Sequence, residues 1–174
     1  MAATAPPPPA NATSAELIRW VFALLNAHDI EPLRAYWTPE TFERFPDRTC
    51  TGPEEIAAYF NGLFAALPDL HMELLHLVAD GEDVFARWHL TGTHSGTAWV
   101  GIEPTGARIE LDGIDHFTVR DGKIASEFVV FDQMEVGRQM GLLPGDGSPA
   151  DKALKTAFNA KTKIADAIRE RRGG

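Results

Sequence analysis

The whole chain contains one cysteine, Cys50. That excludes an internal disulfide and any multi-cysteine zinc site, and it fits a reduced, cytoplasmic setting. Basic residues are scarce beside acidic ones: 16 Lys and Arg against 25 Asp and Glu, a formal charge of −9. Phosphate binding needs clustered cations, so neither nucleic acid nor an anionic membrane is expected as a partner. The densest basic run, Arg169 to Arg172, reads as charge complementing the end of a helix. No apolar run approaches the ~18 residues of a membrane span. The opening "MAATAPPPPANATS" lacks the basic and apolar regions of a secretory signal. HExxH, a Gly-rich phosphate loop and GxSxG are all missing. His71 and His76 have opposite strand parity, as do His89 and His94, so neither pair is set to share a metal. No metal and no cofactor are expected.

What is present suits one globule with a real core: 174 residues, 44% of them apolar. Residues 1–14 read as a disordered Pro-rich leader, 15–144 as the folded domain, and 145–174 as a linker with a C-terminal helix. Thr13 and Glu16 have capping-box spacing, and Leu17, Trp20, Val21, Leu24 and Leu25 then recur with helical period. A short helix is predicted from about Ile30 to Trp37. A third follows from Thr51-Gly52-Pro53 to Pro68, striped by Ile56, Phe60, Leu63, Phe64 and Leu67. The period then switches to alternation. Leu70–Val78, Val84–His94, Ala107–Val119 and Lys123–Phe131 read as strands. Asp121-Gly122 is a type I′ hairpin signal. A short helix from Asp132 to Met140 and a longer one from Ala150 to Arg172 complete the chain. Helices followed by a run of antiparallel strands indicate α+β, with a strongly curved sheet wrapped around the N-terminal helices.

The stretch "SEFVVFDQMEVGRQ" poses the functional question, because an apolar strand ends on Asp132. A simple two-residue hairpin loop sets Phe117 opposite Ser126, Asp115 opposite Phe128 and Leu111 opposite Asp132, all on one mostly apolar face. Asp132 and Asp115 then look inward, while His116 and Glu127 pair on the outer face. An aspartate in an apolar pocket has its pKa raised and can exchange a proton near neutral pH. The same carboxylate could instead cap the helix that follows. His94 shares the inward parity of Val84, Ala86, Trp88 and Leu90. Trp88, Phe117, Phe128, Phe60 and Phe64 are candidate pocket walls beside Asp115. Asp115 and Asp132 are offset by four residues, roughly 13 Å at the usual strand rise. That is too far for two acids dividing work at one bond, so Asp115 is read as lining the cavity.

The ordered motifs "FAALPDL", "GEDVFARWHLTGTHSG", "PTG", "DHFTVRDGKI", "FD" and "RQMGLLP" together resemble the SnoaL-like polyketide cyclase family, from about Ala15 to Pro144. The resemblance implies a cystatin-like α+β cone, usually a homodimer through the outer sheet face. It also implies aldol-type ring closure without metal or cofactor, with Asp132 in the general acid/base position. His94 falls in a "GTH" motif common among members. The expected activity is thus an aldol-type cyclisation or isomerisation of a hydrophobic carbonyl compound, with Asp132 and His94 as the catalytic candidates. Two alternatives stand beside it: a non-catalytic binder of small lipophilic molecules or dimerisation module, and an epoxide hydrolase of the limonene-epoxide type.

Overall fold

In the computed structural model, Pro8 and residues 11–172 are described. Most of the expected Pro-rich leader lies outside them. The first helix, α1 (Ser14–Ala27), starts as its capping box requires. Thr13 Oγ1 accepts from the Glu16 N–H, and Glu16 accepts from the Thr13 N–H at 2.8 Å. Its apolar face buries Leu17, Trp20, Val21, Leu24 and Leu25, each worth about 1.5–3 kcal/mol before the entropy of ordering is charged against it. The segment expected as a helix over Ile30–Trp37 is a 3-10 turn over Glu31–Tyr36, with Pro32 near its start. The next helix, α2 (Gly52–Ala66), buries Ile56, Phe60, Leu63 and Phe64.

Six strands form one sheet: β1 (Phe42–Arg44), β2 (Thr49–Thr51), β3 (His71–Asp80), β4 (Asp83–Thr93), β5 (Arg108–Arg120) and β6 (Lys123–Phe131), in the order β2-β1-β6-β5-β4-β3. The sheet is curved and unclosed, and it wraps the helices as expected. Two of its strands were not predicted. β1 and β2 are three residues each, too short to show a period, and β1 runs parallel to β6, so the sheet is not wholly antiparallel. Two helices follow, α3 (Gln133–Gln139) and α4 (Pro149–Arg172). No described helix is long and apolar enough to cross a membrane.

The hairpin joining β5 to β6 decides the orientation of everything after it. Asp121 and Gly122 both have positive φ, 50° and 70°, as a type I′ turn requires. Val119 pairs with Ile124, but Thr118 pairs with Ser126, which leaves Ala125 as a bulge. One extra residue flips the parity of the rest of β6. Asp115 therefore faces Val129, not Phe128, and Glu127 lies across from Phe117.

Candidate active site

The bulge turns Glu127, Val129 and Phe131 inward and Phe128 and Val130 outward. Glu127 is 5% exposed, whereas Phe128 is 38% exposed. The expected pairing of Glu127 with His116 on the outer face is thus not found. His116 instead meets Asp83 at 2.8 Å and stacks on Phe85. Phe128, expected in the pocket wall, packs outside it against Phe42 and Arg44.

Asp132 follows the same flip. It lies one residue beyond the end of β6 and is exposed, so the inward orientation expected for it does not occur. Its Oδ1 accepts from the N–H groups of Met134 (2.9 Å) and Glu135 (3.1 Å), which makes it the N-cap of α3. Replacement by alanine is expected to cost about 1 kcal/mol, read by chemical denaturation. Asparagine, an equally good cap, should restore it.

The inner face collects three carboxyls from three strands. Glu43 on β1 is the registered neighbour of Glu127 on β6. Asp115 on β5 lies two residues from Phe117, the partner of Glu127. Glu43, Asp115 and Glu127 are 2%, 4% and 5% exposed. They line a chamber of about 50 Å³, enough for a few waters, whose other walls include Trp37, Trp88, Trp99, Phe60 and Phe117. No arginine lines it. Of the aromatic candidates, Trp88, Phe117 and Phe60 reach it. Phe64 does not, and stacks instead on His28.

Burial dominates the electrostatics. It pushes Asp115 up to about 7, against the opposing pull of the Trp88 and Glu127 side chains. It raises Glu43 to about 8, again against the opposing pull of the Glu127 and Trp37 side chains and helped by the charge of Asp115. Glu127 is raised well above the usual carboxylate range, first by burial and then by the charges of both neighbours. Three acids coupled in this way titrate as a unit, with Glu127 between the other two. The two indoles stand near the acids without closing good hydrogen bonds: Trp37 Nε1, Trp88 Nε1, Glu43 Oε2 and Asp115 Oδ1 are all buried and unpartnered. Such groups are costly and commonly functional. The acids are not arranged as a metal site, and among the described residues no group of three or more His, Cys, Asp or Glu could hold a metal ion.

Gly113 makes the chamber possible. It pairs with Trp88 across β4 and β5. A Cβ added at Gly113 would stand 2.1 Å from Trp88 Cζ2, so only glycine lets the indole lie flat on the sheet beside Asp115. Gly113→Ala is expected to swing Trp88 off the sheet, changing tryptophan fluorescence and near-UV dichroism while the helical content stays.

His94 is fully buried, as its parity implied, but it does not line the chamber. Its Nδ1 accepts from the Thr105 N–H at 3.4 Å, and Nε2 stands 3.3 Å from the Thr97 carbonyl. The ring thereby ties together the loop between β4 and β5, which carries Trp99 into the chamber wall. Sequence reasoning missed Glu43 and Glu127. Glu43 sits on a strand with no readable period, and Glu127 was placed on the wrong face by one bulged residue.

The chamber lies beside a groove of about 330 Å³, with which it shares Tyr59, Trp99 and Phe131 as a common wall. The groove is lined further by α3 residues and by Leu142 and Leu143. A small acidic chamber and a wide apolar groove beside it can hold a hydrophobic molecule by its reactive end.

Known proteins agree with this architecture. A solved structure of AclR from Streptomyces galilaeus, described as a candidate hydroxylase, is 24% identical over 88% of this chain and 92% of its own, with a TM-score of 0.63. A candidate SnoaL-like polyketide cyclase from Jannaschia sp. CCS1 is 21% identical over 75% and 93%, with a TM-score of 0.68. TsrD from Streptomyces laurentii is 27% identical over 74% and 94%, with a TM-score of 0.66. At such identities the first two show the fold alone. A search of curated proteins found no match. The family model described as SnoaL-like polyketide cyclase matches residues 15–140. With most of its length covered by that match, this chain belongs to the SnoaL-like polyketide cyclase family.

Proposed function

We propose that the chain is a cofactor-independent acid–base enzyme acting on a hydrophobic carbonyl compound, with Asp115 as its general acid/base in place of the Asp132 expected from the sequence. One observation carries this reading: Asp115, Glu127 and Glu43 converge in an apolar chamber whose burial raises all three carboxyls above their ordinary range, Asp115 to about 7. A carboxylate poised near the working pH serves best as both base and acid. Ionised Asp115 removes a proton alpha to a carbonyl, leaving the electron pair as an enolate. In an aldol closure the enolate carbon bonds to a second carbonyl carbon in the same molecule, and the resulting alkoxide takes the proton back from Asp115. In an isomerisation the proton returns to a different carbon. Protonated Glu127 donates toward Asp115 or Glu43 and keeps the cluster from accumulating charge. The buried chamber shields the acids from bulk water, and the apolar groove beside it holds the rest of the molecule in place.

A hydrophobic β-diketone such as benzoylacetone in heavy water tests the proton step, with exchange at the alpha carbon followed by proton NMR. Wild type and Asp132→Asn are expected to accelerate exchange, and Asp115→Asn to remove the acceleration. Full exchange activity in Asp115→Asn would sink the assignment. The exposed Phe85, Ile114 and Val130 on the outer sheet face support the homodimer implied by the resemblance.

A further inference from the structure

The helix α4 stands apart from the family match, which ends at residue 140. Every residue from Lys152 to Asp166 is exposed, including Leu154, Phe158 and Ile164, as is Ile168 beyond them. At 100° per residue Leu154, Phe158, Ile164 and Ile168 fall on one side of the helix with Lys161 among them, and Lys152, Lys155, Lys163 and Asp166 on the other. Its charge is the reverse of the rest. Residues 149–172 hold seven Lys and Arg against three Asp and Glu, leaving nine against twenty-two elsewhere, so a +4 helix projects from a −13 body.

We propose that α4 docks on a second copy of this chain, laying its apolar stripe in the groove beside the acid chamber. The groove offers exposed Leu142, Met134 and Val100, an apolar surface that the described fold leaves uncovered. Charge selects the occupant. A body at −13 attracts a basic helix and repels an anionic lipid surface, so the protein itself is the favoured partner. Arg48 and Arg138 near the groove are held by Asp47 and Glu135, and the net attraction comes from the body as a whole.

α4 does not lie over its own groove: every residue from Lys152 to Asp166 is exposed and none of them lines it. Ser148 Oγ accepts from the Asp151 N–H, Asp151 accepts from the Gly147 N–H, and Lys155 bridges Asp151 and Asp146. Those bonds hold together the first turn of a rod about 36 Å long. Two copies related by a two-fold axis exchange helices, each roofing the other's groove, and the pairing closes without leaving a free end. This holds whether or not the chamber is catalytic.

The test is a disulfide trap in the full chain carrying Leu142→Cys and Phe158→Cys, oxidised at low micromolar concentration; the native Cys50 is buried. The expected result is a covalent dimer on a non-reducing gel, well above either single variant. Adding Lys152→Glu and Lys163→Glu, on the side away from the stripe, should lower its yield several-fold. Four outcomes overturn the proposal: an intrachain disulfide, no disulfide, equal cross-linking by Phe158→Cys alone, or flotation with phosphatidylglycerol vesicles while the trap stays reduced.

Discussion

Asp115→Asn is expected to lower turnover by about 10²–10⁴-fold, the usual contribution of a positioned general acid/base, and to make the folded protein more stable at pH 8. The second effect follows from the sign of the pKa change. Asp115 titrates near 3.8 when unfolded and at about 7 when folded. Between those values the folded state holds more protons than the unfolded one, so stability declines as pH rises. Its contribution is fully present below about pH 4 and lost once pH passes 7. At 1.36 kcal/mol per pKa unit the swing from Asp115 alone is on the order of 4 kcal/mol. Glu43, raised to about 8, extends the decline past neutrality. Wild type should therefore melt at higher temperature at pH 5 than at pH 8, and Asp115→Asn should flatten that difference. Equal melting of the two proteins at both pH values would mean that Asp115 is not held in an apolar site. A stable, inactive Asp115→Asn protein separates loss of chemistry from loss of fold, which a destabilising variant could not.

The second large effect is expected at Gly96, which pins the loop between β4 and β5 to the end of α2. Gly96 N–H donates to the Ala66 carbonyl at 3.1 Å, and Thr97 N–H to the Ala65 carbonyl at 2.9 Å. These bonds satisfy carbonyls that a helix end leaves without partners. A Cβ at Gly96 would stand 1.8 Å from the Ala65 oxygen and 2.9 Å from its carbon. Backbone cannot yield as a side-chain tip does, so Gly96→Ala must detach the loop or shift the helix. A loss of about 3 kcal/mol or more is expected, a fall in Tm of roughly 6–12 °C for a chain of this size. His94 and Trp99 leave with the loop, and the chamber loses a wall. A variant that melts within a degree or two of wild type would show that the loop is not anchored there.

Much of the architecture was legible in the sequence because it rests on local signals. The capping box at Thr13, the stripes of α1 and α2, the alternation of β3 to β6 and the Asp121-Gly122 turn each follow from neighbours within one or two turns of chain. They appear within a few residues of the expected bounds. The inward face of β5, with Asp115 and Phe117, followed from period two alone. The site itself was only partly legible. The resemblance pointed to Asp132, yet one bulged residue at Ala125 sends it to the surface and turns Glu127 in.

Composition and local pattern thus determined a single α+β body, its curved sheet and the acidic balance of its charge. Tertiary structure alone decided which carboxyls share the chamber. Burial depends on which strands meet and in what register. β1 meets β6 across more than eighty residues of chain, and nothing near Glu43 in the sequence records that Glu127 lies beside it.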